Sequence, residues 1–274
     1  MLGDTNGKKD FLFSIITVVF NDKNNLEKTI KSVWTQKKTL KSNDIEYIVI
    51  DGASTDGSLY VIEKYKSIIE NCLSEPDKGL YDAMNKGINK ANGKYIIFMN
   101  AGDSFVEVNT LKKIKKNIYE NNFPDFLYAD AVEESKDGKF FLKKARSHKW
   151  LWYGMFTHHQ AMIYKRSIIK KYSILYDLSF TIGADYLFTI MFLKYSKNIV
   201  RLNLAICNFK RGGISEKKSI IGLREQFLIR KNILKWPFLG LLLFLVHFVL
   251  LVFKKYFSRF YNRLRFNEKE QRHN

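Results

Sequence analysis

The sequence predicts an α/β fold in which a mostly parallel sheet is flanked by helices. Two nearly continuous apolar segments, residues 11–20 and 46–51, are rich in β-branched and aromatic residues, which is typical of strands buried on both faces. Each is followed by small or capping residues and then by apolar residues at helical spacing. Strands that alternate with helices in this way are typical of a doubly wound sheet.

The first 103 residues contain four such strands. Asn21 and Asp22 offer capping oxygens for a helix that extends to about residue 36, and Ser54 or Asp56 can cap a second helix. Further strands are expected near residues 72–74 and 95–99. Right-handed crossovers would then bring the acids that follow these strands to one edge of the sheet. These acids are Asp51, Asp77 and Asp103.

The pattern changes after this point to a mixed arrangement of strands and helices. A basic helix is expected over residues 111–118, and a strand over 125–130. A hairpin turn at 136–139 should lead to a strand at 140–142. Then follow a strand at 160–164, a helix at 183–193, two short strands within 199–209, and a mobile loop at 211–215.

Composition excludes some classes of protein and leaves others open. The chain has 274 residues and a formal charge of +19, which suits nucleic acid, an anionic membrane or phosphorylated substrates. Cys72 and Cys207 are far apart and lack metal-ligand spacing, which favours a reduced intracellular setting over a disulfide scaffold or a zinc site. The first residues carry charge without an apolar segment of signal-peptide type. We therefore expect no signal peptide.

The C-terminal tail differs from the rest of the chain. Residues 236–253 are almost wholly apolar, and the cations Lys254, Lys255, Arg259, Arg263 and Arg265 follow. This length is close to the ~20 residues of a spanning helix. Basic residues on both sides favour a helix that lies in, or dips into, an anionic membrane face. A buried packing helix or a dimer contact is the alternative. We expect residues 216–274 to form a helical, membrane-associating segment.

One stretch, residues 74–103, carries most of the expected chemistry. Pro76 and Gly79 mark a turn, and a helix with an apolar stripe follows. The strand after it ends at Asn100-Ala-Gly-Asp103, where small residues permit close approach of a ligand. Ligands of open α/β sheets bind outside the carboxyl ends of the strands. Asp103 is therefore the expected functional carboxylate.

Three motifs in order resemble those of family 2 glycosyltransferases of the GT-A fold. They are Asp51-Gly-Ala-Ser-Thr-Asp-Gly57, the segment 75–87 (Glu-Pro-Asp-Lys-Gly-Leu-Tyr-Asp-Ala-Met-Asn-Lys-Gly) and Asn100-Ala-Gly-Asp103. The likeness is greatest to bacterial enzymes of O-antigen (lipopolysaccharide), capsule or exopolysaccharide biosynthesis. It implies a GT-A, Rossmann-like mixed sheet over residues 1–215, followed by the amphipathic or hydrophobic helical tail. The nucleotide-sugar half would cover about 11–105, and the acceptor half about 106–215.

The resemblance also implies an inverting hexosyltransferase that uses a UDP-sugar and Mn²⁺ or Mg²⁺. Asp103 would bind the metal. Because the family motif often reads Asp-Ala-Asp-Asp, the Asn100-Ala-Gly-Asp103 of this chain implies fewer anionic ligands and weaker metal binding. The residues implied to bind the nucleotide-sugar are Val19, Phe20, Asn21, Asp51, Asp77, Lys78, Asp82, Asn85, Asn100 and Ala101.

An inverting transfer needs a general base for the acceptor hydroxyl. The resemblance assigns this role to Asp185; family members often carry a second acid two residues later, where this chain has Leu187. Glu216 is a reserve candidate. The other alternative for Asp185 is an acid favoured by the helix dipole. The resemblance places His158, His159 and Gln160 in the acceptor wall, where packing is an equal alternative. Arg211, Gly212 and Gly213 would form a loop over the diphosphate or a solvent-exposed turn.

These implications predict transfer of a sugar from a UDP-sugar to an undecaprenyl-diphosphate-linked saccharide. The enzyme would be peripheral or monotopic at the cytoplasmic face of the bacterial inner membrane. An alternative within the same fold is a polyprenyl-phosphate sugar synthase. A distant alternative is a basic nucleic-acid-binding protein, which the scattered lysines and the lack of a recognition motif disfavour. We therefore expect no nucleic-acid partner.

Overall fold

One mixed sheet organises the part of the chain that the structure, a computed structural model, describes: residues 10–41, 44–135, 138–213 and 218–256. The strands are β1 Phe13–Val19, β2 Ile45–Asp51, β3 Asn71–Ser74, β4 Tyr95–Phe98, β5 Ser104–Phe105, β6 Phe126–Glu134, β7 Phe140–Lys143, β8 Met162–Lys165 and β9 Ile199–Lys210. The helices are α1 Lys23–Thr39, α2 Ser58–Lys64, α3 Leu80–Lys90, α4 Thr110–Glu120, α5 Arg166–Lys171, α6 Ala184–Lys194, α7 Ser219–Asn232 and α8 Pro237–Tyr256.

The first half of the sheet is parallel, as the sequence predicts. The order is β3-β2-β1-β4, and each neighbouring pair is parallel. The register aligns Val19 with Asp51, and Asp51 with Ser74. The carboxyl ends of these strands therefore meet at one edge, where the predicted ligand site lies. The first helix, α1, starts without a cap from Asp22; instead Asp56 of the next loop accepts a 2.9 Å hydrogen bond from the Lys23 amide.

The second half of the sheet is mixed. β8 is antiparallel to β4 and β6, whereas β9 is parallel to β6. The β6–β7 pairing confirms the predicted hairpin, although residues 136 and 137 of its turn lie outside the described residues. The prediction of two strands within 199–209 is wrong, because β9 is one strand whose pairing with β6 shifts register between Tyr128 and Asp130. The short elements β5 and α5 were not predicted.

Apolar residues pack on both faces of the sheet. Leu26 and Ile30 of α1 share one core with Ile15 of β1 and with Ile114 of α4. The opposite core contains Ile16 of β1 with residues of α3 and α6, among them Met84, Ile88, Phe188 and Phe192. Adjacent residues of β1 thus point to opposite cores, which is the pattern of a strand covered on both faces.

The C-terminal helices α7 and α8 pack against each other. Among the described residues, no helix is both long enough and apolar enough to cross a bilayer. Helix α8 confirms the predicted tail helix, and it leaves many apolar side chains exposed, such as Phe238, Leu242 and Val249. Arg259, Arg263 and Arg265 lie outside the described residues. The domain boundary at residue 215 stays a prediction.

Candidate active site

A cavity of about 990 Å³ opens beside the carboxyl end of β4. Asp103 and Asp185 both line it, and His159 lies between them in the wall. Volumes of this size accommodate a drug-sized ligand. The other predicted site residues that line it are Lys78, Asn100, Ala101, His158, Gln160, Arg211, Gly212 and Gly213.

Asp103 is held in a tight turn after β4. Its backbone amide donates to the Asn100 carbonyl at 3.0 Å, and Gly102 adopts a left-handed φ of 100°. Burial raises the pKa of Asp103 to about 6, although His159 and the hydrogen bond from Gln160 act in the opposite direction. The carboxylate is therefore shielded from water but lies against the cavity.

The side chain of Thr29 in α1 fixes this turn from behind. Its hydroxyl donates to the Asp103 carbonyl at 2.7 Å and accepts from the Gly102 amide at 3.0 Å. This contact joins residues more than 70 positions apart, so no local sequence pattern indicates it.

The donor atoms near Asp103 suit a hard divalent cation. The carboxylate accompanies Asn100, whose Oδ1 is buried and has no hydrogen-bond partner among the described residues. Oxygen ligands are those that Mg²⁺ and Mn²⁺ prefer. Within the described ranges, no group of three or more His, Cys, Asp or Glu residues is placed to hold a metal. A cation here would therefore take most of its remaining ligands from phosphate oxygens or water.

Asp185 lies in the first turn of α6, close to His159. His159 Nδ1 is 3.8 Å from Asp185 Oδ2, and its Nε2 is 3.3 Å from Asn100 Nδ2. The two ring nitrogens of His159 therefore face different sides of the cavity, Nε2 toward Asn100 and Nδ1 toward Asp185. His159 thus connects the two carboxylate-bearing sides of the cavity.

The ends of β1 and β2 form a neighbouring region, whose residues Phe20, Asp51 and Asp77 do not line the cavity. Asp51 is fully buried; its Oδ2 accepts from the Ser54 amide and the Ser74 hydroxyl, while its Oδ1 has no partner among the described residues. A Cβ at Gly52 would collide with Asp77 and approach the Phe20 ring. Gly52 therefore allows the Asp77 carboxylate and the Phe20 ring to pack against the backbone at the strand ends.

Several predicted nucleotide-sugar residues make contacts within the protein. Asn21 accepts from the Thr55 amide through Oδ1 and so joins the loops after β1 and β2. Asp82 accepts from the Lys78 amide, and Val19 is buried in β1. Asn85 donates to the Tyr176 carbonyl and accepts from the Tyr176 amide, at 2.9 and 2.8 Å. None of these four residues lines the cavity, and their role in donor binding stays a prediction.

A cluster of charges lies behind the loop that contains Arg211. Glu133 of β6 is almost completely buried, with His158 Nε2 at 3.1 Å, Arg211 Nε at 3.6 Å and Lys143 Nζ at 3.7 Å. His158 also stacks on Phe209. Burial, and then the Lys143 ammonium, lower the pKa of His158 to about 4 in spite of Glu133. Glu133 therefore restrains Arg211, which lines the cavity.

The sequence interpretation missed Thr29, Glu133, Lys143 and Tyr81 as residues that shape the site. Tyr81 donates a 2.6 Å hydrogen bond to the Ile182 carbonyl, just before α6. Of these four residues, only Glu133 offers a sequence signal, because it is an acid in an otherwise largely apolar strand. Acids inside strands are rarely buried without partners. Glu216, the reserve candidate, and Ser215 lie outside the described residues.

The comparison with known proteins identifies the family. The model named Glycosyl transferase family 2 matches residues 14–173, more than half of the chain. A "PGL/p-HBAD biosynthesis glycosyltransferase" of Mycobacterium bovis is 28% identical over 213 residues, which cover 74% of this chain and 79% of that protein.

Solved structures agree on the fold. S. aureus TarS in complex with UDP-GlcNAc superposes with a TM-score of 0.64 and 19% identity, over 80% of this chain and 66% of that one. The mannosyltransferase PcManGT of Pyrobaculum calidifontis, in complex with GDP-Man and Mn²⁺, gives a TM-score of 0.62 and 13% identity, over 82% and 64%. The chain thus spans slightly less than two thirds of these structures, and the expected GT-A-like fold is confirmed. The chain belongs to glycosyltransferase family 2 and is a glycosyltransferase.

Proposed function

We propose that this enzyme transfers a sugar, with inversion, from a UDP-sugar to a saccharide carried on a lipid diphosphate. The observation that carries the proposal is the placement of Asp103 and Asp185 on one cavity, with His159 between them. Such a transfer requires one carboxylate that binds a cation and a second carboxylate that acts as the general base.

The donor is a nucleotide-sugar that extends from the strand ends into the cavity. Asp51 Oδ1, buried and without a partner among the described residues, is an acceptor for a base N–H such as that of uracil. The exposed Phe20 ring offers a face on which a base can stack. TarS, which is bound to UDP-GlcNAc, has the same fold, and this likeness supports a UDP-sugar as donor.

Asp185 is the general base of the reaction. It takes the proton from the acceptor hydroxyl while the hydroxyl oxygen attacks the anomeric carbon. The bond from that carbon to the diphosphate breaks, and its electron pair leaves with the diphosphate. The imidazole of His159 lies beside this carboxylate, with Nδ1 3.8 Å from Asp185 Oδ2. Attack from the side opposite the diphosphate inverts the anomeric configuration.

Departure of the diphosphate requires positive charge in the site, which stabilises the negative charge that develops on the phosphate oxygens. Asp103 and the Asn100 side-chain oxygen would hold Mn²⁺ or Mg²⁺, which neutralises developing charge on the diphosphate when bound. Arg211 lines the cavity from the opposite loop and contributes a guanidinium, which suits phosphate oxygens. Gln160 holds Asp103 in place with its 2.7 Å hydrogen bond.

The acceptor reaches the enzyme at a membrane surface. Helix α8 exposes apolar side chains along its length; Phe238 is 89% exposed and Val249 is 65% exposed. The net charge of +19 favours an anionic membrane. A monotopic or peripheral position at the cytoplasmic face of the inner membrane would bring the cavity to a lipid-linked acceptor. O-antigen or capsule assembly is the pathway class that this arrangement suits.

The test is a transfer assay on purified, detergent-solubilised full-length enzyme with Mn²⁺. We expect one member of a panel of UDP-sugars to yield UDP only when a synthetic saccharide-diphosphate-lipid is present. Transfer to bare polyprenyl phosphate instead would establish the polyprenyl-phosphate sugar synthase. Absence of turnover with both acceptors, in a sample that binds UDP, would contradict the proposed lipid-linked acceptors.

A further inference from the structure

The N-cap position of helix α6 has no side chain, because it is Gly183. In the first turn, Asp185 Oδ1 accepts a 2.7 Å hydrogen bond from the Tyr186 amide. Helix ends leave backbone N–H groups without intrahelical partners, and such groups need an acceptor when they are buried. The adjoining loop, residues 181–183, therefore depends on another part of the chain.

Glu225 of α7 supplies an acceptor for the loop amides that lead into helix α6. Its Oε1 accepts from the Thr181 amide at 2.8 Å, and its Oε2 accepts from the Ile182 and Gly183 amides at 2.8 and 2.7 Å. The side chain is only 8% exposed. Three successive N–H groups thus converge on one carboxylate, and hydrogen bonds to a charged acceptor are among the strong ones in proteins.

The close approach of α7 to this loop depends on a glycine. A Cβ at Gly183 would lie 3.1 Å from Glu225 Cβ and 3.2 Å from Ile229 Cδ1. From the other side of the loop, the Tyr81 hydroxyl holds the Ile182 carbonyl. The loop is therefore fixed from two elements, α3 and α7, immediately before the turn that contains Asp185.

We propose that Glu225 is a positioning residue for the reaction and acts through Asp185; this inference rests on the proposed role of Asp185 as the base. Asp185 follows Gly183 by two residues, so a shift of the loop moves its carboxylate relative to the acceptor hydroxyl. Small displacements of a catalytic group carry large costs in rate. Helix α7 thereby belongs to the catalytic apparatus, although it lies outside the family match, which ends at residue 173.

The test compares Glu225→Gln with Arg224→Gln, a change at an exposed neighbour on the same helix. The glutamine keeps one acceptor oxygen and has an NH₂ group in place of the other, so at least one of the three amides loses its acceptor. We expect Glu225→Gln to lower kcat by about 10- to 100-fold, with the donor KM changed by less than about 2-fold. Arg224→Gln should leave both values unchanged.

A double-mutant cycle separates positioning from a general loss of structure. If Glu225 acts through Asp185, Glu225→Gln should change the residual rate of an Asp185→Asn enzyme by less than about 2-fold. An equal loss in both backgrounds would overturn the inference. So would an unchanged kcat in Glu225→Gln beside an inactive Asp185→Asn enzyme, which would leave the proposed base intact. Wild-type turnover in Asp185→Asn would refute the base, and the inference with it.

Amide hydrogen exchange gives a readout that does not depend on activity. In Glu225→Gln, we expect amides of residues 181–187 to exchange at least about 10-fold faster than in wild type, while the sheet amides keep their rates. If Glu225→Gln fails to fold, Glu225→Asp replaces it, because its shorter side chain cannot reach all three amides. Unchanged exchange at 181–187 in a folded variant would overturn the inference.

Discussion

The amide nitrogen of Gln160 donates a 2.7 Å hydrogen bond to Oδ2 of Asp103. The resemblance assigned Gln160 to the acceptor wall and Asp103 to the metal. The contact joins these two functions, because a residue beside the acceptor side of the cavity also fixes the orientation of the metal-binding carboxylate.

Replacement of Gln160 by Leu should weaken metal binding. The carboxylate would lose the hydrogen bond that orients it, and loss of such an outer partner typically costs about 10- to 100-fold in metal affinity. Titration of Mn²⁺ into the UDP-bound enzyme by calorimetry measures this, with Asp103→Asn as the variant expected to show no Mn²⁺ binding. Wild-type affinity in Gln160→Leu would contradict the assignment of Asp103.

Replacement of Asn85 by Asp should destabilise the protein. The aspartate keeps the acceptor for the Tyr176 amide but loses the donor to the Tyr176 carbonyl. An unsatisfied buried carbonyl costs about 1–3 kcal/mol, which urea denaturation detects. A loss of UDP affinity without a loss of stability would instead support direct donor binding by Asn85.

Replacement of His158 by Gln should reduce the loss of unfolding free energy that occurs as the pH falls. The pKa of His158 is 6.5 in its reference state and about 4 in the folded protein. Between these values the unfolded chain binds a proton that the folded chain does not, so this contribution to stability is present above pH 6.5 and is lost as the pH falls toward 4.

Removal of the imidazole removes that pH dependence. The loss of unfolding free energy between pH 7 and pH 5 should be smaller in His158→Gln than in wild type by about 2 kcal/mol. Denaturant melts at the two pH values measure it, and groups present in both proteins cancel in the comparison. A parallel pair of curves would show that folding does not shift the pKa of His158 and would contradict this account.

Helix α8 should bind anionic vesicles through its exposed apolar face. The double substitution Phe238→Glu and Val249→Glu removes two apolar groups from that face and adds negative charge. Each buried apolar side chain contributes about 1.5–3 kcal/mol, so vesicle affinity should fall by at least 10-fold. Val108→Glu is the control, since Val108 is 62% exposed and lies in the segment just before α4 rather than in α8. Co-sedimentation of the double variant at the wild-type level would contradict a membrane role for α8.

The parallel half of the sheet was predictable because its signals are local. A run of apolar residues predicts a strand such as β2, and apolar residues at helical spacing predict the helix that follows it. The sequence predicts two short strands where the structure has the single strand β9. Burial along β9 does not alternate regularly, and its pairing with β6 shifts register at Asp130.

The strand-end acids were predictable for the same reason, whereas the residues that support them were not. Thr29 contacts the Asp103 turn, and Glu225 contacts Gly183, over 74 and 42 positions of sequence. Such contacts arise only once the sheet and helices have packed, and neither residue type is unusual in a helix. Long-range hydrogen bonds of this kind leave no periodic trace in a single sequence.

The measurement that tests the central assignment most directly is sugar transfer by Asp185→Asn, together with donor binding. With the UDP-sugar and saccharide-diphosphate-lipid that the wild-type enzyme uses, we expect the variant to lose about 10²- to 10⁴-fold in kcat while it binds the UDP-sugar with unchanged affinity. Transfer at the wild-type rate by Asp185→Asn would contradict the role of Asp185 as the general base.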